Sequence, residues 1–231
     1  MSSSGLQPLA RRIFDGLHLS YDRVLLAATL MQDRYWKSWI LRRACLREKM
    51  DVLDVGCGTG VLEESMDCYS VSVVGLDLTE QMIRLAQLKN VECLRNLALG
   101  DAERLPFKDS AFDAVFSCYV VKYCRPELLV SEIMRVLRPA GRFVIYDFTR
   151  PRGLSAPFLA FYTYGVLRGM GLVLSRVKAG QALTFEALPT VIRERRWDDS
   201  FALTMEVAGF LGVGKKRLSG GAVTAFWGEK P

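Results

Sequence analysis

The chain has 231 residues, a formal net charge of +6, 50% hydrophobic residues and 24% charged residues. That composition excludes a disordered tail, a collagen-like repeat and a disulfide-stapled knot, and the length suits one domain with an appended cap. Histidine occurs once, at His18, which leaves little to build a zinc site, so no metal is expected. Lys and Arg are spread from Arg11 to Lys230 with acids interleaved, which reads as a solvated basic surface and not as a nucleic-acid track. The six cysteines form no Cys-x-x-Cys pair, and several sit in apolar runs, as free thiols in a reducing cytoplasm do. The start, Met1 to Gln7, is small and polar, so no secretory leader is expected.

In chain order, residues 1–48 read as helical. Leu17, Tyr21, Val24, Leu25 and Ala28 recur at helical spacing, as do Trp36, Trp39 and Ile40. From Asp51 short apolar runs take over, and strands are expected at 52–55, 71–76, 93–99, 112–119 and 142–148. Helices are expected from an N-cap at Thr79 and over 127–137, the second stopping before Pro139-Ala140-Gly141. Such alternation predicts right-handed crossovers and a parallel sheet with helices on both faces. Residues 152–196 interrupt it and read as a cap over the sheet's functional edge, with a helix over 188–196. Within that cap, residues 153–174 carry one charge, Arg168, together with Pro157 and four glycines. This suits an amphipathic or buried segment better than a membrane span. A helix over 198–208 and strands at 211–218 and 222–227 complete a seven-stranded, mostly parallel sheet. One domain results: N-terminal helices 1–48, core 49–151, cap 152–196, and C-terminal helix and strands 197–231.

The chemistry starts at Asp54-Val55-Gly56-Cys57-Gly58-Thr59-Gly60, directly after a strand. Ligands of such sheets bind at the carboxyl ends of the strands, where glycines let backbone approach them. A dinucleotide site would place its third glycine at position 61, which is Val61. The tighter Gly-x-Gly-x-Gly, with an acid two residues ahead, suits a nucleoside with an amino-acid tail, the shape of S-adenosylmethionine. Asp77, beside Leu78, ends the second strand 21 residues after Gly56 and can accept both ribose hydroxyls. Asp101 follows the third strand; it can accept from the adenine amino group while the backbone N–H of Ala102 donates to a ring nitrogen. Ten residues are thus expected to hold the cofactor: Asp54, Gly56, Cys57, Gly58, Gly60, Asp77, Leu78, Asp101, Ala102 and Cys118, the two cysteines as small fillers and not as nucleophiles.

On these residues the chain resembles the class I S-adenosylmethionine-dependent methyltransferases, which share a Rossmann-like fold, with motifs between Val52 and Phe148. Within them it is similar to the ubiquinone/menaquinone biosynthesis C-methyltransferases. Tyr21-Asp22 stands fifteen residues before Trp36-Lys37, as in that family. Arg135 to Gly141 with Asp147 to Pro151, and Ala208-Gly209-Phe210 with the closing strand, carry the rest of the likeness. The resemblance implies S-adenosylmethionine as cofactor and a prenylated quinol as acceptor, methylated on ring carbon. It maps the family's polar ring residues onto Tyr21, Lys122 and Tyr123 as catalytic candidates. It also departs here: the family has Arg-Asn at Lys122-Tyr123, an Asn is missing after Tyr-Asp, and Asp33 stands in place of a His. Ordinary alternatives stay open: Tyr21 as a core tyrosine, Lys122 as a solvated loop lysine, Tyr123 as packing, Asp147 as a strand-end cap, and His18 as a surface residue or a partner of Asp22. Another phenol or amine acceptor, and a non-catalytic cofactor-binding subunit, also remain as functional alternatives. A polyprenyl tail along 153–174, with Arg150, Arg152, Arg176 and Lys178 near anionic lipid, implies peripheral membrane contact by a cytoplasmic protein.

Overall fold

The computed structural model describes residues 6–17, 21–150 and 190–231, together with residues 157 and 161. The N-terminal region forms three helices, α1 (Leu6–Leu17), α2 (Tyr21–Ala28) and α3 (Gln32–Ala44). The core follows as β1 (Asp51–Val55), α4 (Val61–Glu64), β2 (Ser72–Asp77), α5 (Glu80–Lys89), β3 (Leu94–Leu99), β4 (Phe112–Cys118), α6 (Pro126–Val136) and β5 (Leu137–Phe148). After a helical stretch at 190–194 come α7 (Trp197–Val207), β6 (Leu211–Leu218) and β7 (Val223–Glu229). The expected cap, its apolar stretch at 153–174 and His18 lie outside the described residues, except for 157, 161 and the end of the cap from 190.

Seven strands form one sheet in the order β3-β2-β1-β4-β5-β7-β6. β1 pairs in parallel with β2 and β4, and β5 in parallel with β4. β7 enters antiparallel between β5 and β6. The winding reverses between β1 and β4, and a sheet of this kind opens its ligand crevice there, at the strands' carboxyl ends. Strand alternation explains the two cores. Val52 and Phe116 pack with Trp36, Ile40 and Ala44 of α3 on one face. Leu53, Val55 and Val115 pack on the other with Leu129 and Ile133 of α6 and Phe201 and Met205 of α7. The α6 stripe Leu129, Val130, Ile133 and Val136 is fully buried, each side chain contributing about 1.5–3 kcal/mol of gross apolar burial. The outer strand β6 carries Lys215, Lys216 and Arg217, all exposed, a charged edge that discourages pairing with another sheet.

One boundary differs from expectation. The helix ends at Val136 and the strand begins at Leu137, five residues earlier than the Pro-Ala-Gly signal suggests. Long-range pairing overrides the turn signal. Leu137 registers with Phe112, the ladder shifts before Ala114, and Ala140 N–H donates to Lys230 O at 3.0 Å.

Candidate active site

A cavity with about 650 Å³ of empty space opens at the carboxyl ends of β1, β2, β3 and β4. Gly56, Gly58, Asp77, Leu78, Asp101, Ala102 and Cys118 line it, seven of the ten residues expected to hold a cofactor. The glycine turn is shaped for close approach. Gly56 has φ +82°, and a Cβ there would sit 2.1 Å from Val120 Cγ2. No residue but glycine fits both demands. The amides of Gly56 and Cys57 donate to Leu76 O at 2.7 and 3.0 Å, which fixes the turn against β2.

Asp77 is held at the end of β2 by three donors. Its Oδ1 accepts from Thr79 N–H and Thr79 Oγ1 at 2.9 Å each, and Oδ2 accepts from Gly58 N–H at 3.0 Å. The Thr79 hydroxyl is therefore spent on Asp77, and the N-terminus of α5 has no side-chain cap. Burial raises the Asp77 carboxyl above its ordinary value, and these backbone and hydroxyl donors oppose that shift. Asp101 Oδ1 accepts from Glu103 N–H at 2.8 Å. Gln7 Nε2, from α1, donates to both Asp101 oxygens at 2.9 and 3.0 Å. A side-chain amide thus occupies the carboxylate edge that an adenine amino group would use.

Asp54, Cys57 and Gly60 do not reach the cavity wall. Asp54 lies on the opposite side of β1 from Leu53 and Val55, directly under the turn, where it faces Glu63 of α4. Both are buried, and among the described residues neither Glu63 oxygen nor Asp54 Oδ1 has a hydrogen-bond donor. Burial raises both carboxyls, Glu63 from 4.5 to about 7, and the charge of Glu63 adds to the rise at Asp54. Cys57 packs against Gly75, where an added Cβ would meet its Sγ at 2.9 Å. Gly60, with φ +81°, turns the chain into α4. Burial pushes the Cys57 and Cys118 thiols upward, so they stay protonated fillers.

The helices α1 and α2 roof the cavity. Gln7, Ala10 and Phe14 of α1 and Tyr21 of α2 line it, and Phe14 lies edge-on to Tyr21 and to Tyr123, each at 5.9 Å. Asp22 ties α2 down: it accepts from Thr59 Oγ1 at 2.5 Å and pairs with Lys89 at 2.8 Å. Tyr21 and Tyr123, two of the three catalytic candidates, line the cavity. Lys122 does not. It is neither solvated nor on the cavity wall, but 2% exposed, with its ammonium 2.8 Å from Asp147 and hydrogen-bonded to Tyr119 O. Burial lowers the Lys122 ammonium and raises the Asp147 carboxyl, each opposed by the other's charge. Sequence reasoning missed Gln7, Phe14, Met82, Tyr119, Val120 and Cys124 on the cavity wall. Tyr119 and Val120 follow Cys118 at a strand tip, and that position was the available signal.

The donor and acceptor set fits S-adenosylmethionine. Asp77 and Asp101 supply carboxylates at the two strand ends, Gly56 and Gly58 present bare backbone to the cavity, and the wall beyond is aromatic. A methyltransferase-domain family model matches residues 53–145. A demethylmenaquinone methyltransferase of Tropheryma whipplei (strain Twist) is 30% identical over 220 residues, 92% of this chain and 88% of the relative. That of Mycobacterium tuberculosis (strain H37Rv) is 30% identical over 222 residues, 95% of this chain and 91% of the relative. Among solved structures, a SAM-dependent methyltransferase from Aquifex aeolicus superposes with a TM-score of 0.58 at 20% identity, covering 84% of this chain and 89% of that one. The complex of the Haloferax volcanii Trm112 methyltransferase activator with a methyltransferase gives 0.67 at 18% identity, covering 94% and 97%. The chain belongs to the demethylmenaquinone methyltransferase family and is an S-adenosylmethionine-dependent methyltransferase of class I.

Proposed function

We propose that this enzyme methylates a ring carbon of a prenylated quinol, the substrate type its relatives' names give. The observation that carries the reading is the aromatic wall of Phe14, Tyr21, Tyr119 and Tyr123 directly beside the glycine turn. A planar acceptor ring can stack on or meet that wall edge-on. S-adenosylmethionine, when bound, supplies a methyl group on a positively charged sulfur.

The chain's own residues then have four tasks. Asp77 and Asp101 hold the nucleoside at two strand ends. The backbone of Gly56 and Gly58 allows close approach of the amino-acid tail. The aromatic wall excludes water and holds the acceptor ring within attack distance, about 3–3.5 Å. An aromatic carbon attacks well only when a neighbouring hydroxyl carries phenolate character. Burial raises the phenols of Tyr21 and Tyr123, so both remain protonated donors able to stabilise that developing charge. Lys122, committed to Asp147, acts behind the wall and not on the acceptor.

The test is incubation with methyl-labelled S-adenosylmethionine and a reduced, prenylated demethylnaphthoquinol, followed by product identification. The expected product carries label on ring carbon. Label on a phenolic oxygen, or on amine lipid offered in parallel and not on the quinol, would overturn the reading.

A further inference from the structure

Tyr119, the first residue after β4, has φ +64°. Glycine adopts that backbone freely, whereas a bulky residue there is an outlier that persists only where surroundings over-determine it. Here they do. The Tyr119 amide donates to Tyr146 O at 3.1 Å, and its carbonyl accepts from Lys122 Nζ. Its ring stacks on Phe148 at 4.8 Å and meets Tyr146 edge-on at 5.0 Å. Its hydroxyl donates to Asp33 Oδ1 at 2.6 Å, where Tyr146 Oη also donates at 3.0 Å. Asp33 Oδ2 pairs with Lys37 at 2.7 Å. Asp33, Lys37, Lys122 and Asp147 are all at most 5% exposed.

Two buried ion pairs from different elements thus converge on one residue, Asp33–Lys37 at its hydroxyl and Lys122–Asp147 at its carbonyl. Of the groups in this network, Tyr119 alone lines the cavity. Burial and the adjacent Asp33 raise the phenol well above its ordinary value, so it is no base. With the hydroxyl proton given to Asp33, Tyr119 offers the cavity aromatic surface.

We propose that Tyr119 is a specificity-determining residue that orients a planar aromatic acceptor, with Asp33 and Lys122 as positioning residues that lock it from behind. This rests on the quinol reading above. Edge-to-face or stacked ring contacts of this kind govern affinity for the acceptor, not for the cofactor.

The test compares wild type, Tyr119→Phe and Tyr119→Gly for binding of S-adenosylhomocysteine, then of a short-chain naphthoquinone to that complex, with KM and kcat for the matching quinol. The glycine variant relieves the backbone strain while deleting the ring; the phenylalanine variant keeps the ring and frees it from Asp33. We expect naphthoquinone affinity to fall about tenfold in Tyr119→Gly and less in Tyr119→Phe, seen as a raised KM, with homocysteine-derivative affinity within about twofold. Unchanged quinone binding in both variants would overturn the role of Tyr119 and leave the quinol reading standing. Parallel loss of nucleoside and quinone binding would mark Tyr119 as merely structural. A wild type that neither binds naphthoquinone nor methylates the quinol would overturn the quinol reading, and this proposal with it.

Discussion

At the scale of single residues, the acids at the strand ends divide by what surrounds them. Asp77 is buried yet held by three donors and faces the cavity, so it stays available as an acceptor. Charge-assisted bonds of this kind contribute about 1.5–3 kcal/mol each. Asp77→Ala is therefore expected to weaken S-adenosylmethionine binding by about tenfold or more in calorimetry. Asp54, two residues before the first glycine, faces Glu63. The folded chain holds protons on this pair that the unfolded chain releases from pH 4.5 upward. The Glu63 contribution is full below that value and is lost as pH rises through about 7, and the raised Asp54 carboxyl acts in the same direction. Thermal melts should show stability falling across that window in the wild type and a flatter profile in Glu63→Gln, which keeps a neutral hydrogen-bonding group. Gly56, Gly58, Asp77 and Asp101 lie on the cavity wall, and their strand-tip position was legible from spacing. Asp54, read as cofactor-binding, is not on the cavity wall, because spacing does not report which face of a strand a side chain takes. Lys122 was misplaced because its partner, Asp147, is 25 residues away and meets it only through sheet pairing.

At the scale of elements, strand–helix alternation was readable from the period of the apolar residues, and all seven strands emerge near their expected places. The extension of β5 back to Leu137 was not, because its partners Phe112 and Lys230 lie far along the chain. The helical character of the N-terminal region was equally plain in the sequence, but its role as a roof was not. That role depends on where α1 docks, and docking is a tertiary property. The roof has a measurable consequence. Gln7 donates to both Asp101 oxygens, the carboxylate that would otherwise receive the adenine amino group. Gln7→Ala removes that competitor. It should tighten S-adenosylmethionine binding by a few-fold and speed association in stopped-flow; weaker binding would show instead that Gln7 helps to hold the adenine.

At the scale of the whole molecule, two chemistries share one crevice. Hydrogen-bonding acids and bare backbone sit at the ends of β1, β2 and β3, while four aromatic side chains from α1, α2 and the β4–α6 connection form the remaining wall. The sheet's reversal between β1 and β4 opens that crevice, so topology places the site before any side chain refines it. Several of the basic side chains are held in ion pairs that tie elements together, as in the Arg135 pairs with Glu132 and Asp109 and the Arg138 pairs with Asp51 and Asp113. No helix among the described residues is long and apolar enough to cross a membrane. Everything proposed about the acceptor depends on the cofactor occupying the acid-and-glycine half first. The most direct test is calorimetric titration of the purified chain with S-adenosylmethionine and with its demethylated product. The account predicts one saturable site per chain for which the two compete. No heat with either, or binding left unchanged when Asp77 is replaced, would contradict it.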